Sequence, residues 1–230
     1  MKKTFAFLLM AALTFGAMAE NTNLLKTAEV SAPIIERSSF SFHWGFNNWG
    51  SSAFAGLMGP QVGFADIRTS FSSYQLSYSY DILHAEHFNA GIGLGYESDI
   101  YKFKSKYIVW SDGHFRVATP AQTGDWSSRF VTRYVQLPIH IGWVDSKEAF
   151  SVRLSAIPAI GYTNKNTGLK HKMDNAKDQT NLGDALRPYK LDLRLDVKIY
   201  GIGVFMQVST FSLFKDGYQD LYPIKFGFVI

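Results

Sequence analysis

From residue 38 almost to the end, apolar residues alternate with small or polar residues in eight separate segments. A period of two is typical of β-strands, because successive side chains of a strand point to opposite faces of the sheet. The segment LDLRLDVKI at 191–199 is the sharpest case, with aliphatic odd-numbered residues and charged even-numbered residues. The chain is therefore predicted to be all-β. The segment alone leaves open which of its two faces meets water.

The connections between these segments alternate in length. Long polar stretches follow the first, third and fifth segments, whereas short ones such as ILHAEH and DSKEA follow the second and fourth, and a tight turn follows the sixth. In an up-and-down meander, odd and even connections lie at opposite ends of the sheet. Outer-membrane barrels have this asymmetry, with tight periplasmic turns and long extracellular loops. We therefore predict that residues 38–230 form an eight-stranded antiparallel up-and-down transmembrane β-barrel.

The N-terminal residues are typical of an export signal. Lys2 and Lys3 precede about a dozen apolar residues, and Ala17-Met18-Ala19 fits the small-x-small pattern of a signal peptidase site. The apolar run is shorter than the ~20 residues of a membrane-spanning helix, which argues against a membrane anchor. We expect residues 1–19 to be a cleavable signal peptide, residues 20–37 to be a short periplasmic segment, and the protein to reside in the cell outer membrane.

Composition excludes several classes of site. The chain has no cysteine, so disulfides, zinc–thiolate centres and thiol nucleophiles are ruled out. The net charge is +4, but the basic residues are dispersed, and no nucleic-acid partner is expected. The six histidines are scattered and no Gly-x-Ser-x-Gly motif occurs, so we expect no catalytic residues, no metal site and no cofactor. GIGLG at 91–95 is interpreted as close packing within a strand, and HKMDNAKD at 171–178 as a solvated loop.

A membrane barrel carries its apolar face outside and its small or polar face inside. The interior of eight strands is just wide enough for side chains, so a soluble calycin-like barrel could not hold the bulky face within. The charges predicted to point into the lumen lie on the sixth, fifth and eighth strands: Asp192, Arg194, Asp196, Lys198, Arg153 and Lys225. Their alternating signs allow mutual pairing. We predict a polar plug, and a narrow ion path is the alternative.

Aromatic residues near the predicted strand ends are expected to lie at the two membrane interfaces. These residues are Trp44, Tyr80, Trp143, Tyr162 and Tyr222.

Three segments resemble strands of the PorT-like outer-membrane β-barrel family, a group of small Gram-negative barrels. RYVQLPIHIGW at 133–143 is similar to a family strand in which Leu-Pro or Ile-Pro precedes an apolar run and an aromatic residue. FSVRLSAIPAIGY at 150–162 resembles the next strand, and LDLRLDVKIYGIGV at 191–204 resembles a strand with its tight turn. The resemblance covers 38–230 and implies a small porin-like membrane barrel. It leaves the molecular activity open.

The expected function is that of an integral outer-membrane barrel with a structural or surface-interaction role carried by its long extracellular loops. One alternative is a transport or protein-export accessory, meaning a minor channel or a secretion component. A lipid- or peptide-acting membrane enzyme is a further alternative. The expected partners are outer-membrane lipids, periplasmic chaperones and the barrel-assembly machinery, with a surface or envelope protein as an additional candidate.

Overall fold

The computed structural model describes residues 38–50, 67–68, 70–104, 107–119, 126–145, 149–162, 168–173, 176–180, 182 and 184–230. The predicted signal peptide (1–19) and periplasmic segment (20–37) lie outside the described residues. Across the described ranges the chain is all-β and has no helix. In that part of the chain, no helix is long and apolar enough to cross a bilayer.

Eight strands form the barrel, and we number them β1 to β8 in chain order. Their bounds are β1 Ser38–Gly50, β2 Ser70–His84, β3 Phe88–Phe103, β4 Ser127–Gln136 continued by Ile139–Val144, β5 Phe150–Gly161, β6 Tyr189–Ile199, β7 Ile202–Ser209 and β8 Tyr222–Val229. Each strand pairs antiparallel with the next along the chain.

The barrel closes between its first and last strands. β1 pairs antiparallel with β8, from His43 opposite Val229 to Gly50 opposite Tyr222. Backbone hydrogen bonds between Phe42 and Ile230, 3.0 and 3.1 Å long, continue this seam to the end of the chain. The predicted closed eight-stranded antiparallel barrel is thus confirmed. Closure leaves no free edge along the seam, as a barrel requires.

β4 is interrupted at Leu137 and Pro138 without opening the wall. Proline has no backbone N–H and cannot continue a strand ladder normally. The Pro138 carbonyl still accepts a 2.7 Å hydrogen bond from the Gly93 N–H, and Leu137 donates a 2.9 Å bond to the Pro158 carbonyl. Above the break, Tyr134 to Gln136 still pair with β5, and beyond them Ser127 to Val131 pair with the extra strand Gly168–Met173.

The even-numbered connections are tight turns at one end of the barrel. Between β6 and β7 the turn residues Tyr200 and Gly201 have φ angles of 49° and 81°, as a type I′ hairpin turn requires. Between β2 and β3, Ala85 and Phe88 exchange backbone hydrogen bonds of 2.8 and 3.3 Å. We call this end the short-turn end and the opposite end the long-loop end.

At the long-loop end, the strands run further than the sequence predicts. The apolar alternation of the first and third segments ends at Phe46 and Tyr96, but β1 and β3 continue to Gly50 and Phe103. The sequence pattern misses these extensions because the apolar residues change from the outward to the inward positions. Trp49 and Phe103 are examples of inward residues that are apolar and buried. The β1–β8 and β3–β4 pairings remain in register while the hydrophobic pattern inverts, whereas the β1–β2 pairing shifts register between Gly45 and Phe46.

The long loops also contain ordered strands. The connection from β3 to β4 holds a hairpin, Ile108–Ser111 paired with His114–Val117. The connection from β5 to β6 holds a second hairpin, Gly168–Met173 paired with Ala176–Thr180. Most of the segment 171–178, interpreted from the sequence as a solvated loop, lies in the two strands of this hairpin. His171 is buried and its Nδ1 lies 3.0 Å from the Ser128 Oγ, whereas Lys172 is exposed. A two-residue strand, Ile67–Arg68, pairs with the end of β3.

The apolar core lies at the long-loop end and not in the middle of the barrel. Its buried side chains come from strand ends, from the first hairpin and from the connections before β6 and β8, and we call them the cap: Trp49, Tyr101, Phe103, Ile108, Phe115, Phe130, Tyr134, Ala159, Leu169, Leu182, Ala185, Leu186, Leu213, Phe214 and Leu221. Phe115 is fully buried and its ring lies 5.5 to 5.9 Å from the rings of Trp49, Phe130 and Phe214. The cap covers the barrel mouth at this end.

Candidate functional site

The two faces of the barrel wall differ sharply in chemistry. The outer surface is formed by large apolar side chains exposed around the whole barrel, and we call these the belt: Phe40, Leu76, Tyr78, Ile82, Ile92, Leu94, Val135, Leu137, Ile139, Leu154, Ile160, Leu195, Ile199, Ile202, Val204, Met206, Phe226 and Phe228. The inner surface holds small and polar side chains. Leu195 is 44% exposed, whereas its neighbours Arg194 and Asp196 are 2% and 3% exposed.

Glycines allow neighbouring strands to approach closely on the inner side. Gly45 of β1 and Gly227 of β8 are opposite each other at the closing seam. A Cβ on Gly227 would collide with the Gly45 Cα and the Trp44 carbonyl oxygen. In β3, a Cβ on Gly93 would lie 2.6 Å from the Ser79 Oγ and the Tyr78 carbonyl oxygen. The GIGLG segment lies in the middle of β3 and takes part in strand packing.

A cluster of three carboxylates and two ammonium groups lies beneath the cap. The Lys225 Nζ is 2.7 Å from both the Glu97 and the Asp99 carboxylates. The Lys190 Nζ pairs with Glu97 and lies 2.6 Å from Asp192. All five residues are buried, with exposures of 5% or less. An unpaired buried charge is costly, and in this arrangement every charged group has an oppositely charged neighbour.

Neutral side chains complete the hydrogen bonding of this upper cluster. Gln207 Nε2 donates to Asp192 at 2.5 Å and to Glu97 at 3.2 Å. Gln136 Nε2 donates to Glu97 at 2.5 Å, and Ser209 donates to Asp192. Ser73 Oγ donates to Asp99 at 2.6 Å. The Lys190 ammonium also lies 4.5 Å from the centre of the Tyr134 ring, a cation–π contact that joins the cluster to the cap.

A second cluster lies nearer the short-turn end. Arg194 Nε donates to Asp196 at 3.3 Å, and its Nη1 donates to the Gln75 Oε1 at 3.1 Å. His43 Nε2 lies 3.1 Å from the other Asp196 oxygen, and its ring meets the Phe205 ring edge to face at 5.1 Å. The sixth strand therefore contributes to both clusters through its even-numbered residues. Together the two clusters and the cap occupy most of the lumen.

The short-turn end of the lumen holds a small open cavity. Its polar lining includes Asn89, Arg153, Asp196 and Lys198. Beside it, His140 Nε2 lies 2.8 Å from the Asp81 carboxylate. Within the described residues, no group of three His, Cys, Asp or Glu side chains is arranged to hold a metal ion.

The structure divides the six predicted lumen charges into three pairs. Asp192 and Lys225 belong to the upper cluster, and Arg194 and Asp196 to the second cluster. Arg153 and Lys198 are half-buried and line the cavity, and neither makes an ion pair with a described residue.

Sequence reasoning missed several residues of the charge clusters. Glu97 and Asp99 lie beyond the point where the third apolar alternation ends, and Lys190 lies one residue before LDLRLDVKI. A signal for them existed, because all three continue the inward phase of their strands at a spacing of two residues. His43 and Gln75 belong to recognised inward faces, but nothing in the sequence shows that they meet Asp196 and Arg194.

The predicted interfacial aromatics lie on the outer surface at several heights. Trp143 is at the short-turn end of β4, whereas Tyr162 and Tyr222 are at the long-loop end. Trp44 and Tyr80 lie inside β1 and β2, because these strands extend beyond the predicted ends. Trp44, Trp143 and Tyr162 are 42%, 46% and 38% exposed, and Tyr80 and Tyr222 are half-buried.

In comparisons with known proteins, no family model matches the chain, and no curated protein matches its sequence.

Proposed function

We propose that this protein is an integral β-barrel of a bacterial outer membrane, with a lumen plugged by its own side chains and a structural or surface-interaction role. The observation that carries the proposal is the distribution of side chains on the barrel wall, which is apolar outside and polar inside, the reverse of a soluble protein. Large apolar residues such as Leu195 are exposed on the outside, while the charged residues beside them are buried inside. Exposed apolar surface of this extent is typical of a membrane contact.

The direction of insertion follows from the two ends of the barrel. The short-turn end has the tight turns of a periplasmic end, and the long-loop end has the ordered hairpins of an extracellular end. The resemblance of 133–143, 150–162 and 191–204 to the PorT-like family supports the same location. The proposed export signal at 1–19 is consistent with it. The proposed role involves no catalytic chemistry and no cofactor.

The plug, rather than a channel, is favoured by the two charge clusters and the cap, which leave little free cross-section. We expect the purified protein to give no conductance steps in planar bilayers. Steps that disappear in Asp192→Ala or Arg194→Ala variants would contradict the plug and would favour the channel alternative. Co-purification of the full chain with a secretion complex would favour the export-accessory alternative.

The membrane location is tested with a charge placed in the belt. Leu195→Arg introduces a cation into the exposed apolar surface, which costs about 2–4 kcal/mol near a bilayer midplane. We expect the wild type to fold into phospholipid vesicles and to migrate faster on gels before boiling than after, and the variant to fold poorly. Tyr200→Arg, in the exposed β6–β7 turn, is the matched control and should fold normally. Equal folding of both variants, or a wild type that remains soluble without lipid, would refute the proposal.

A further inference from the structure

A row of cations crosses the outer surface at the long-loop end. Lys102 on β3 is opposite Arg129 on β4, and Arg129 is opposite Lys170 on the second hairpin. Residues directly opposite on one sheet face have Cβ atoms about 5 Å apart. All three are outward in phase, and a fourth cation, Arg133, points outward four residues further along β4. We call these four residues the basic row.

Among the residues that the structure describes, the basic row has no compensating anion. None of the four cations forms an ion pair with an acidic side chain among the described residues. The Arg133 Nε is buried and has no hydrogen-bond partner within that part of the chain. Partial burial, together with Arg129 and Arg133, lowers the pKa of Lys170, as expected when like charges crowd together. Like charges directly opposite each other destabilise a sheet, so an external anion would relieve the row.

Other cations at this end have partners. Arg187, before β6, binds Asp216 at 2.8 Å and lies over the rings of Tyr189 and Phe211. Arg116, on the first hairpin, lies 3.4 Å from Asp112. The lack of partners in the basic row is thus not a general feature of the loops.

The position of the basic row identifies the kind of anion. Arg133 is opposite Ser98, two residues beyond Tyr96, whose ring lies 6.5 Å from the Tyr162 ring at the upper edge of the belt. At about 3.3 Å per residue and a strand tilt of about 40°, Arg133 is roughly 5 Å above Tyr96 and the other three are roughly 15 Å above it. The row therefore starts where a headgroup region would start, and it extends through a height of about 10 Å.

We propose that the basic row binds the phosphate groups of a phosphorylated glycolipid in the outer leaflet. This inference rests on the proposed membrane location. Arg133 takes a phosphate next to the acyl chains, and Lys102, Arg129 and Lys170 take phosphates or carboxylates on the sugars above it. A glycerophospholipid has a single phosphate close to the hydrocarbon, which would engage Arg133 and leave the upper three without partners.

The test compares glycolipid binding by the full chain refolded in zwitterionic detergent micelles. The probe is a lipid A glycolipid that carries two phosphates and inner-core sugars, titrated by thermophoresis and counted by native mass spectrometry. The variant is Lys102→Gln/Arg129→Gln/Lys170→Gln, and the matched control is Arg116→Gln. Folding of every variant is checked by the gel shift on boiling.

We expect the triple variant to fold and to bind the glycolipid more weakly by on the order of a hundredfold, since each cation near an anionic surface contributes about a factor of five. Arg116→Gln should bind like the wild type, and high salt should weaken wild-type binding. Equal affinity of the triple variant and the wild type would overturn the inference.

The source of the anion is decided by two competitors. Inorganic phosphate and micellar phosphatidylglycerol should compete poorly with the glycolipid. If either competes equally well, the site takes a simple phosphate and the glycolipid assignment is wrong. A wild type that folds in micelles but does not bind the glycolipid refutes this inference alone, whereas failure to fold in micelles or vesicles refutes the membrane location as well.

Discussion

Replacing Lys225 by methionine tests whether the buried charges hold the barrel together. The Lys225 ammonium lies 2.7 Å from both Glu97 and Asp99, and the side chain is 1% exposed. Methionine has a similar length and no charge, so the substitution removes both ion pairs with little change in volume. Three buried carboxylates would then share Lys190 as their nearest cation.

The expected loss of unfolding free energy is about 4 kcal/mol. Removing one partner of a buried ion pair costs about 3–5 kcal/mol, because the other charge remains buried without compensation. Lys215→Met is the matched control, because this exposed lysine donates to the Asp184 carbonyl and forms no ion pair among the described residues. Its cost should be within about 0.5 kcal/mol.

A double variant separates the loss of pairing from a general packing defect. Lys225→Met combined with Asp99→Asn removes one cation and one carboxylate, which restores the net charge of the upper cluster. Replacing both members of a buried pair by neutral groups is often close to neutral. We expect the double variant to recover about 2–3 kcal/mol relative to the sum of the single variants.

The assay is urea unfolding of the refolded barrel in micelles, followed by tryptophan fluorescence. Unfolding and refolding curves must coincide for the free energies to be valid. A cost below about 1 kcal/mol for Lys225→Met, or strict additivity in the double variant, would show that water and not the carboxylates compensates this lysine.

Three further predictions concern closure, the cap and a turn. Gly227→Val should prevent pairing of the first and last strands, so the gel shift on boiling is lost, whereas Phe226→Leu on the outward face keeps it. Phe115→Ala should cost about 3–5 kcal/mol of local packing and loosen the first hairpin, so that trypsin cleaves after the exposed Arg116 while the barrel band persists. Trypsin resistance equal to wild type would contradict the role of the cap. Gly201→Ala, at a φ of 81°, should destabilise the barrel by about 1 kcal/mol in urea unfolding, and no change would exclude strain in this turn.

Within the belt, the sequence alone predicted most of the structure. The number of strands, their antiparallel order and the inward phase of residues such as Arg194 follow from the period-two alternation, since a strand offers only two faces. The turn at Tyr200-Gly201 was also predictable, because a type I′ turn favours glycine where φ is positive. The resemblance to a family and the membrane itself remain predictions.

Only the tertiary structure decided which charges meet. Glu97 on β3 contacts Lys190 on β6 and Lys225 on β8 because the stagger of the strands in a closed barrel places these three residues at the same level of the lumen. No local sequence pattern encodes that stagger. The cap escaped prediction for a related reason. Above the belt the apolar residues, Trp49 among them, turn inward, so the hydrophobic pattern changes phase while the strand continues. Alternation fixes the faces of each strand, but the closed sheet determines which solvent each face meets and which partner each buried charge finds.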